Sequence, residues 1–368
     1  MKKIRIGLIG AGMISQKHLR EYQSIPEAEV AAVCSRTRSS AERCAREWNI
    51  PNIYTDISEL LKQPDIDAVD ICLHNHLHAP VAIAALNAGK HVYCEKPMAM
   101  TYADGTAMLE AARLNQKTLH IQLGFLYRPY ARAAKRLIDG GALGHIYHAR
   151  SVGFRRRNRP YVDGYGNPDF VERRLAGGGA LYDFGIYHIS LLLYLMGMPV
   201  PVRMSGKLYQ EIPMDENRRV SGHYDVEELG VGFVRFENNI TLDLFESWAV
   251  HLDSMDPSTI LGSLGGIKLD PFSFHTTFCD TELDCTGNLE QMDFRWKQTQ
   301  PEESAYASSE AHWIAALLER VPLIPTAELA LTTLLIQEGI TLSDKLGREV
   351  SAEEVKRSSL LSDFSSFS

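Results

Sequence analysis

No two cysteines in this sequence are spaced as CxxC. The six that occur, Cys34, Cys44, Cys72, Cys94, Cys279 and Cys285, are scattered over 368 residues, so neither a disulfide framework nor a structural zinc site is indicated. Reduced thiols fit that usage, and a cytoplasmic protein is expected. Nowhere does the chain approach the roughly 18 uninterrupted apolar residues that span a bilayer, so no membrane association is expected. The opening MKKIRIGLIGAGM places two lysines before an apolar run, as a secretion signal does. That run carries Arg5, is short and leads into a glycine turn rather than a small-residue cleavage site, so it reads as part of the fold. Positive charge is also scarce: 38 Lys plus Arg against 46 Asp plus Glu leaves a net charge of −8. A phosphate backbone meets no attractive field there, and nucleic acid is not an expected partner. Repeats, low-complexity tracts and long linkers are missing too.

What remains is an ordinary globular composition, 45% hydrophobic and 23% charged, and enough chain for two domains at about 150 residues each. The first third alternates strand and helix patterns. Strands are expected at Ile4–Gly10, Glu29–Cys34, Asp67–Leu73, His91–Cys94 and Leu119–Leu123, and helices at Met13–Gln23, Ser39–Trp48, Ala79–Ala88 and Tyr102–Asn115. Repeated βαβ units of this kind imply a parallel, doubly wound sheet of six strands. After about residue 124 the pattern changes. Ile146–Phe154, Val202–Tyr209, Leu229–Phe236, Ile240–Trp248, Ser258–Leu269 and Phe274–Thr281 are strand-like, with one strong helix, Ala180–Met196, among them. Strands in succession point to a large, mainly antiparallel, open-faced sheet in an α+β second domain. The expected domains are 1–124 and 125–368, with C-terminal helices at Glu310–Arg320 and Ala327–Leu342.

Gly10-Ala11-Gly12-Met13-Ile14-Ser15 follows the first strand and opens the first helix, the context in which a glycine turn cradles a pyrophosphate. Gly10 permits the turn, Gly12 the close approach, and Ser15 stands where a third glycine is often found. The competing reading is a strand-to-helix turn that binds nothing. At the end of the second strand, where an acidic residue usually meets the adenosine ribose, the chain has Ser35 and Arg36. A hydroxyl and a guanidinium suit a 2′-phosphate, so NADP is as well served as NAD; alternatively the arginine lies on a solvated helix start.

Further binding groups are expected at the carboxyl edge of the sheet, where ligands of doubly wound folds sit. Leu73 leads into His74-Asn75-His76-Leu77-His78, read as a loop and helix cap. Leu73, His74, Asn75 and His78 are candidate cofactor contacts. Three alternate histidines raise a metal site, which this geometry does not secure, and no metal is assigned. Glu95-Lys96-Pro97 ends the next strand; Lys96 there could set an ammonium beside a reacting hydroxyl, or cap a surface loop.

In the second part, Gly177-Gly178-Gly179 precedes Ala180-Leu181-Tyr182-Asp183-Phe184-Gly185-Ile186-Tyr187-His188, and glycines at a helix start allow a ligand or another backbone to come close. Asp183 and Tyr187, four apart, share one face of a regular helix, from which His188 is turned roughly 100°. Upstream, Arg155 to Gly166 alternates arginines and tyrosines suited to a sugar ring or an anionic group, or to a solvated loop.

The stretches GAGMISQKH, HNHLHAPVAIAALNAGKHVYCEKPMAMT and GGGALYDFGIYHISLLLYLMG together resemble the Gfo/Idh/MocA family of pyridine-nucleotide oxidoreductases, and the similarity covers nearly the whole chain. The resemblance implies a Rossmann domain that binds NAD or NADP through Gly10, Gly12, Met13, Ile14, Ser35, Arg36, Glu95 and Lys96. It also implies a secondary hydroxyl of a sugar, cyclitol or glycoside as the reacting group. Asp183 contacts the sugar and the residue four further on, here Tyr187, carries the proton, with His188 as competitor. Arg157 and Tyr165 are candidate pocket residues. A phenol ionises near pH 10, and a neighbouring Lys96 cation would favour phenolate. Homodimers or homotetramers are expected, since a second subunit often covers an open sheet. Two other readings stay open: a glycosidase that uses transient oxidation and elimination, and a catalytically silent nucleotide sensor.

Overall fold

The computed structural model describes residues 3–362, so the outermost residues of the two expected domains lie outside it. Apolar runs buried on both faces build the first sheet. Its strands are β1 (Ile4–Ile9), β2 (Ala28–Cys34), β3 (Asn52–Tyr54), β4 (Ala68–Ile71), β5 (His91–Cys94) and β6 (Leu119–Ile121), and all of β4 is buried. They are parallel and ordered β3-β2-β1-β4-β5-β6. The order reverses beside β1, which opens a crevice at the carboxyl ends of β1 and β4. β3, with three residues, is too short to leave an alternating pattern and was absent from the strands read from sequence.

The second sheet contains β7 (Ile146–Phe154), β8 (Pro201–Tyr209), β9 (Leu229–Phe236), β10 (Thr241–Ser247), β11 (Thr259–Gly262), β12 (Gly265–Lys268), β13 (Ser273–Phe278), β14 (Thr281–Thr286) and β15 (Val350–Ser351). Their order is β14-β13-β12-β11-β7-β10-β9-β8-β15, antiparallel except where β10 runs parallel to β7. The single strand expected over Ser258–Leu269 is a hairpin that turns at Ser263-Leu264, and at Gly262, just before the turn, the backbone of Leu143 fills the place of a side chain. A second turn, at Cys279-Asp280, has positive φ at both residues (49° and 58°), as a tight two-residue hairpin turn requires.

Alternation in β9 and β10 puts Val234, Phe236, Leu242 and Leu244 inward. Helices Gly185–Leu195 and Thr326–Leu346 cover that face. The opposite face carries the exposed Tyr147 and Val202 and the Arg150–Asp243–His148 ion-pair group. The helix expected over Ala180–Met196 is broken into Ala180–Asp183 and Gly185–Leu195. At the break the Tyr187 N–H donates to Phe184 three residues back, at 3.2 Å, rather than four. From the far end of the chain, helix Ser309–Leu317 returns to the first sheet, where Trp313 and Ile314 pack with Ile4, Ile6, Tyr22, Ala68 and Tyr93.

The loop Arg155 to Gly166 is anchored by Arg159, whose side chain is fully buried. It donates to Asp163 at 2.9 Å, to Glu228 at 2.7 Å and to the carbonyls of Ile212 and Pro213. Removing one member of a buried ion pair strands the others without compensation. Arg159→Met is therefore expected to lower unfolding free energy by about 3–5 kcal/mol in urea titration; a loss below about 1 kcal/mol would show the anchor to be dispensable.

Candidate active site

Helix Met13–Gln23 begins at Gly12 without a side-chain cap, so its first N–H groups are left to an external acceptor. Gly10 has φ +105°, and a side chain there would overlap the Cys72 carbonyl of the neighbouring strand end. At Gly12 a Cβ would touch no protein atom, so the ledge above the turn is open to an approaching group. Ser15 is buried and its hydroxyl donates to the Gly12 carbonyl at 2.7 Å, which closes the first turn in place of a third glycine. Met13 and Ile14 are exposed on the rim. Ser35 is half-buried at the end of β2, its N–H donating to the Tyr54 carbonyl, and Arg36 is exposed beside it. These groups fit the diphosphate and ribose of a dinucleotide: donors without acceptors, a glycine ledge and no carboxylate at the ribose position.

The histidine stretch is helical, not a loop: helix Asn75–Asn87 starts there, with His74 as its cap. Helical spacing spreads the alternate histidines around the axis. His74 faces Asp169 of the second domain at 3.5 Å. Asn75 is buried and donates to the Ala176 carbonyl at 2.9 Å, which ties the two domains together. His78 is wholly buried, its ring nitrogens 2.7 Å from the Pro97 carbonyl and 3.0 Å from that of Leu73. It braces the Glu95-Lys96-Pro97 turn, and its ring faces main chain rather than the half-buried rim where Leu73 lies.

Lys96 leaves that turn for the second domain. Its Nζ donates to Asp183 Oδ1 at 2.7 Å and to the Asp183 carbonyl at 3.2 Å, and lies 4.7 Å from the centre of the Tyr187 ring. Trp248, buried on the strand end beyond β10, donates its indole N–H to the other carboxylate oxygen of Asp183 at 3.1 Å. Burial disfavours the ammonium of Lys96, yet Asp183, Tyr187 and Glu95 outweigh it and hold its pKa above the ordinary value. For Asp183 burial again works against the charge, and Lys96 prevails, keeping its pKa low. Tyr187 differs from the expectation. Burial raises its phenol pKa, and with Glu95 and Asp183 acting in the same direction the downward pull of Lys96 does not overcome it; the ring is stacked on Phe125 at 4.7 Å.

His188 turns away from Lys96 but stays close. Its Nδ1 is 2.9 Å from Glu246, which also accepts from the Ser151 hydroxyl at 2.6 Å, and its ring contacts Phe125 and Phe184. Gly153 makes room for this pair, since a side chain there would overlap both His188 and Glu246. Of the loop residues, Arg157 is well exposed and bound to Asp163. Arg155, which sequence reasoning passed over, lies 4.5 Å from the Phe184 ring and donates to the Tyr165 hydroxyl at 2.8 Å. Burial pushes the Tyr165 phenol up to about 12. The triple glycine admits backbone rather than ligand: Gly179 packs on the main chain of Glu227, whose carboxylate accepts from the N–H groups of Gly179 at 2.7 Å and Leu181 at 3.2 Å. Trp248, Glu246 and Arg155 carry no recognisable local motif, so nothing in the sequence marked them.

A doubly wound sheet with an uncapped glycine turn, facing a lysine and a carboxylate contributed by separate domains, defines a nucleotide-binding oxidoreductase. Comparison with known proteins makes this particular. Residues 4–123 match the family described as "Oxidoreductase family, NAD-binding Rossmann fold", and residues 131–268 match "GFO/IDH/MocA C-terminal domain". The chain belongs to the Gfo/Idh/MocA oxidoreductase family. It is 29% identical over 281 residues to D-glucoside 3-dehydrogenase of Escherichia coli K12, covering 74% of this chain and 79% of that protein. Inositol 2-dehydrogenase of Salmonella typhimurium is 33% identical over 200 residues, which is 52% of this chain and 54% of the relative. The chain thus spans about half the length of the latter. In fold, levoglucosan dehydrogenase in complex with NADH and levoglucosan superposes with a TM-score of 0.80, at 22% identity, over 95% of this chain and all of that one.

The space at Gly153 is testable on its own. Gly153→Ala is expected to separate His188 from Glu246 and cost about 1–3 kcal/mol by overpacking, read as a lowered Tm; an unchanged Tm would mean the pair relaxes freely.

Proposed function

We propose that this protein oxidises a secondary hydroxyl of a sugar, cyclitol or glycoside, or reduces the matching ketone, with a nicotinamide nucleotide as partner. The observation that carries this reading is the 2.7 Å contact between Lys96 Nζ and Asp183, with the Tyr187 ring beneath the same ammonium. NAD, when bound, supplies the hydride acceptor. Lys96 offers its remaining N–H to the substrate oxygen and stabilises negative charge as the hydroxyl loses its proton. Asp183 orients the lysine and accepts from a neighbouring hydroxyl. Tyr187 accepts the proton in oxidation and returns it in reduction. Glu95 holds the turn from which Lys96 projects, while Tyr165 and Arg155 line the sugar side of the crevice. Arg157, bound to Asp163, is more remote.

The dehydrogenase names of the two sequence relatives favour this over hydrolysis, and a silent sensor has no use for the Lys96, Asp183 and Tyr187 set. Gly10, Gly12, Met13 and Ile14 form the phosphate ledge. Ser35 and Arg36 leave room for a 2′-phosphate, so NADP is accepted beside NAD. Six free thiols, four of them buried, fit a reducing compartment, which we take to be the cytoplasm. The uncovered face of the second sheet is read as the contact between copies in a homodimer or homotetramer.

Lys96→Met is expected to lower kcat by about 10²–10⁴-fold while leaving NAD affinity, read by fluorescence titration, nearly unchanged; an active variant would refute the assignment. Because burial raises the Tyr187 pKa, the phenolate needed for oxidation forms only as pH rises. Oxidation kcat/KM is thus expected to climb through the alkaline range, and ketone reduction, which needs the phenol, to fall. Tyr187→Phe should remove this pH dependence; if it persists, the proton passes through His188 instead.

A further inference from the structure

Beneath the crevice lies a second, wholly enclosed set of ionisable groups that hydride transfer does not use. His18, on the inward face of helix Met13–Gln23, has no solvent exposure. Its Nδ1 is 2.9 Å from Asp70 Oδ2 and 3.2 Å from Oδ1, and its Nε2 is 2.8 Å from Glu95 Oε1. A carboxylate only accepts, whereas a neutral imidazole has one N–H. Two carboxylates on opposite ring nitrogens are both satisfied only by the imidazolium. Glu95 uses its other oxygen to accept the N–H of Lys96 at 3.0 Å. A continuous line thus runs from Asp70 through His18 and Glu95 to the main chain of Lys96.

We propose that His18, clamped as a cation between Asp70 and Glu95, is a positioning residue that keeps Glu95 charged and thereby aims Lys96 at the reacting oxygen. This rests on the assignment of Lys96 to the reaction made above. The surrounding groups favour the charged form. From its own helix Tyr22 donates to Asp70 Oδ2 at 3.0 Å. At the end of β4 the Cys72 thiol lies 3.3 Å from Nδ1. From β5 the Tyr93 ring meets the imidazole edge-on at 5.5 Å. From helix Ser309–Leu317 comes Glu310, whose Oε1 is buried, without a hydrogen bond, 4.0 Å from Nε2. Burial raises the pKa of that carboxyl and so favours its uncharged form. Burial also opposes charge on His18, but Asp70 and Cys72 overcome it and hold its pKa well above the ordinary value. Glu95, penalised by the same burial, is kept below its ordinary pKa by His18 and Lys96.

Without the imidazolium, Glu95 keeps the burial penalty and loses its main compensation, so its pKa rises. Protonation then weakens its hold on the Lys96 N–H and removes a negative charge that supports the ammonium. His18→Gln is therefore expected to add an acid limb to the kcat–pH profile of ketone reduction, where the Tyr187 phenol gives the wild type none, along which activity falls as pH drops and recovers as it rises. On that limb kcat should lie down to about 100-fold below wild type, the effect of a misplacement near 1 Å, with KM for NAD within about twofold. Glu95→Gln should lower kcat at every pH, and adding His18→Gln to it should change little more. A His18→Gln enzyme with wild-type kcat and profile, or one whose loss is equal at all pH values and follows lost NAD affinity, overturns the proposal. The ¹⁵N shifts of His18 in the wild-type protein serve if the variant fails to fold. Both nitrogens are expected to stay protonated well above the ordinary histidine range, and a neutral ring at pH 7 refutes the clamp. That measurement needs no substrate, so it fails or stands apart from the reaction assignment, whose own failure would appear as wild-type protein inactive on every sugar and polyol offered.

Discussion

The ion pair between Lys96 and Asp183 joins the two halves of this molecule at the point where chemistry is placed. Lys96 leaves the first domain at the end of β5 and meets Asp183 at the break in the second domain's glycine-led helix, 2.7 Å away and largely shielded from water. Neither charge would persist there alone, since the cost of burying either ion far exceeds any surface attraction. Each is kept ionised by the other, and the Trp248 indole and the Asp183 carbonyl add a further hydrogen bond to each partner. The crevice is therefore defined electrostatically before any ligand arrives, as preorganised catalysis demands.

Charge is organised in two tiers around that pair. The upper tier, reachable from the crevice, holds Lys96, Asp183, Tyr187 and Arg155. The lower one, sealed under the first helix, holds His18, Asp70 and Glu95, and the link between tiers is one hydrogen bond from the Lys96 main chain. Glycines set the spacing on the second-domain side. Gly153 leaves space for the His188–Glu246 pair, and Gly179 lets the helix start rest on Glu227. Tyr187 and His188 then take different surroundings although they are adjacent in the chain: one stacks on Phe125 under the ammonium, the other is tied to a buried glutamate.

Much of this was legible in the residue pattern because local rules govern it. Met13–Gln23 and His91–Cys94 begin and end where sequence reading put them, since a glycine turn and a short buried run between polar residues are local signals. The approach of Lys96 to Tyr187 was expected only alongside the family resemblance, as no spacing rule links residues so far apart in the chain. What stayed hidden depended on tertiary context. The helix is broken at Phe184 with no proline there, and the hairpin turning at Ser263-Leu264 lies where the main chain of Leu143 comes close to Gly262. Tyr187 was expected to be eased toward phenolate by its cation, and burial reversed the balance. Arg157 was the arginine favoured from the sequence; in the fold it is bound to Asp163, while Arg155 is bound to the Tyr165 hydroxyl.

Trp313 and Ile314 complete the cluster formed by Ile4, Ile6, Tyr22, Ala68 and Tyr93, although some three hundred residues separate them from β1. During synthesis the nucleotide-binding half leaves the ribosome with that apolar flank uncovered, and it stays so until helix Ser309–Leu317 has been made. This domain is thus sealed only after most of the second sheet has emerged. A protein truncated before residue 309 would carry every crevice residue discussed above and still present a sticky side to its neighbours in the cell.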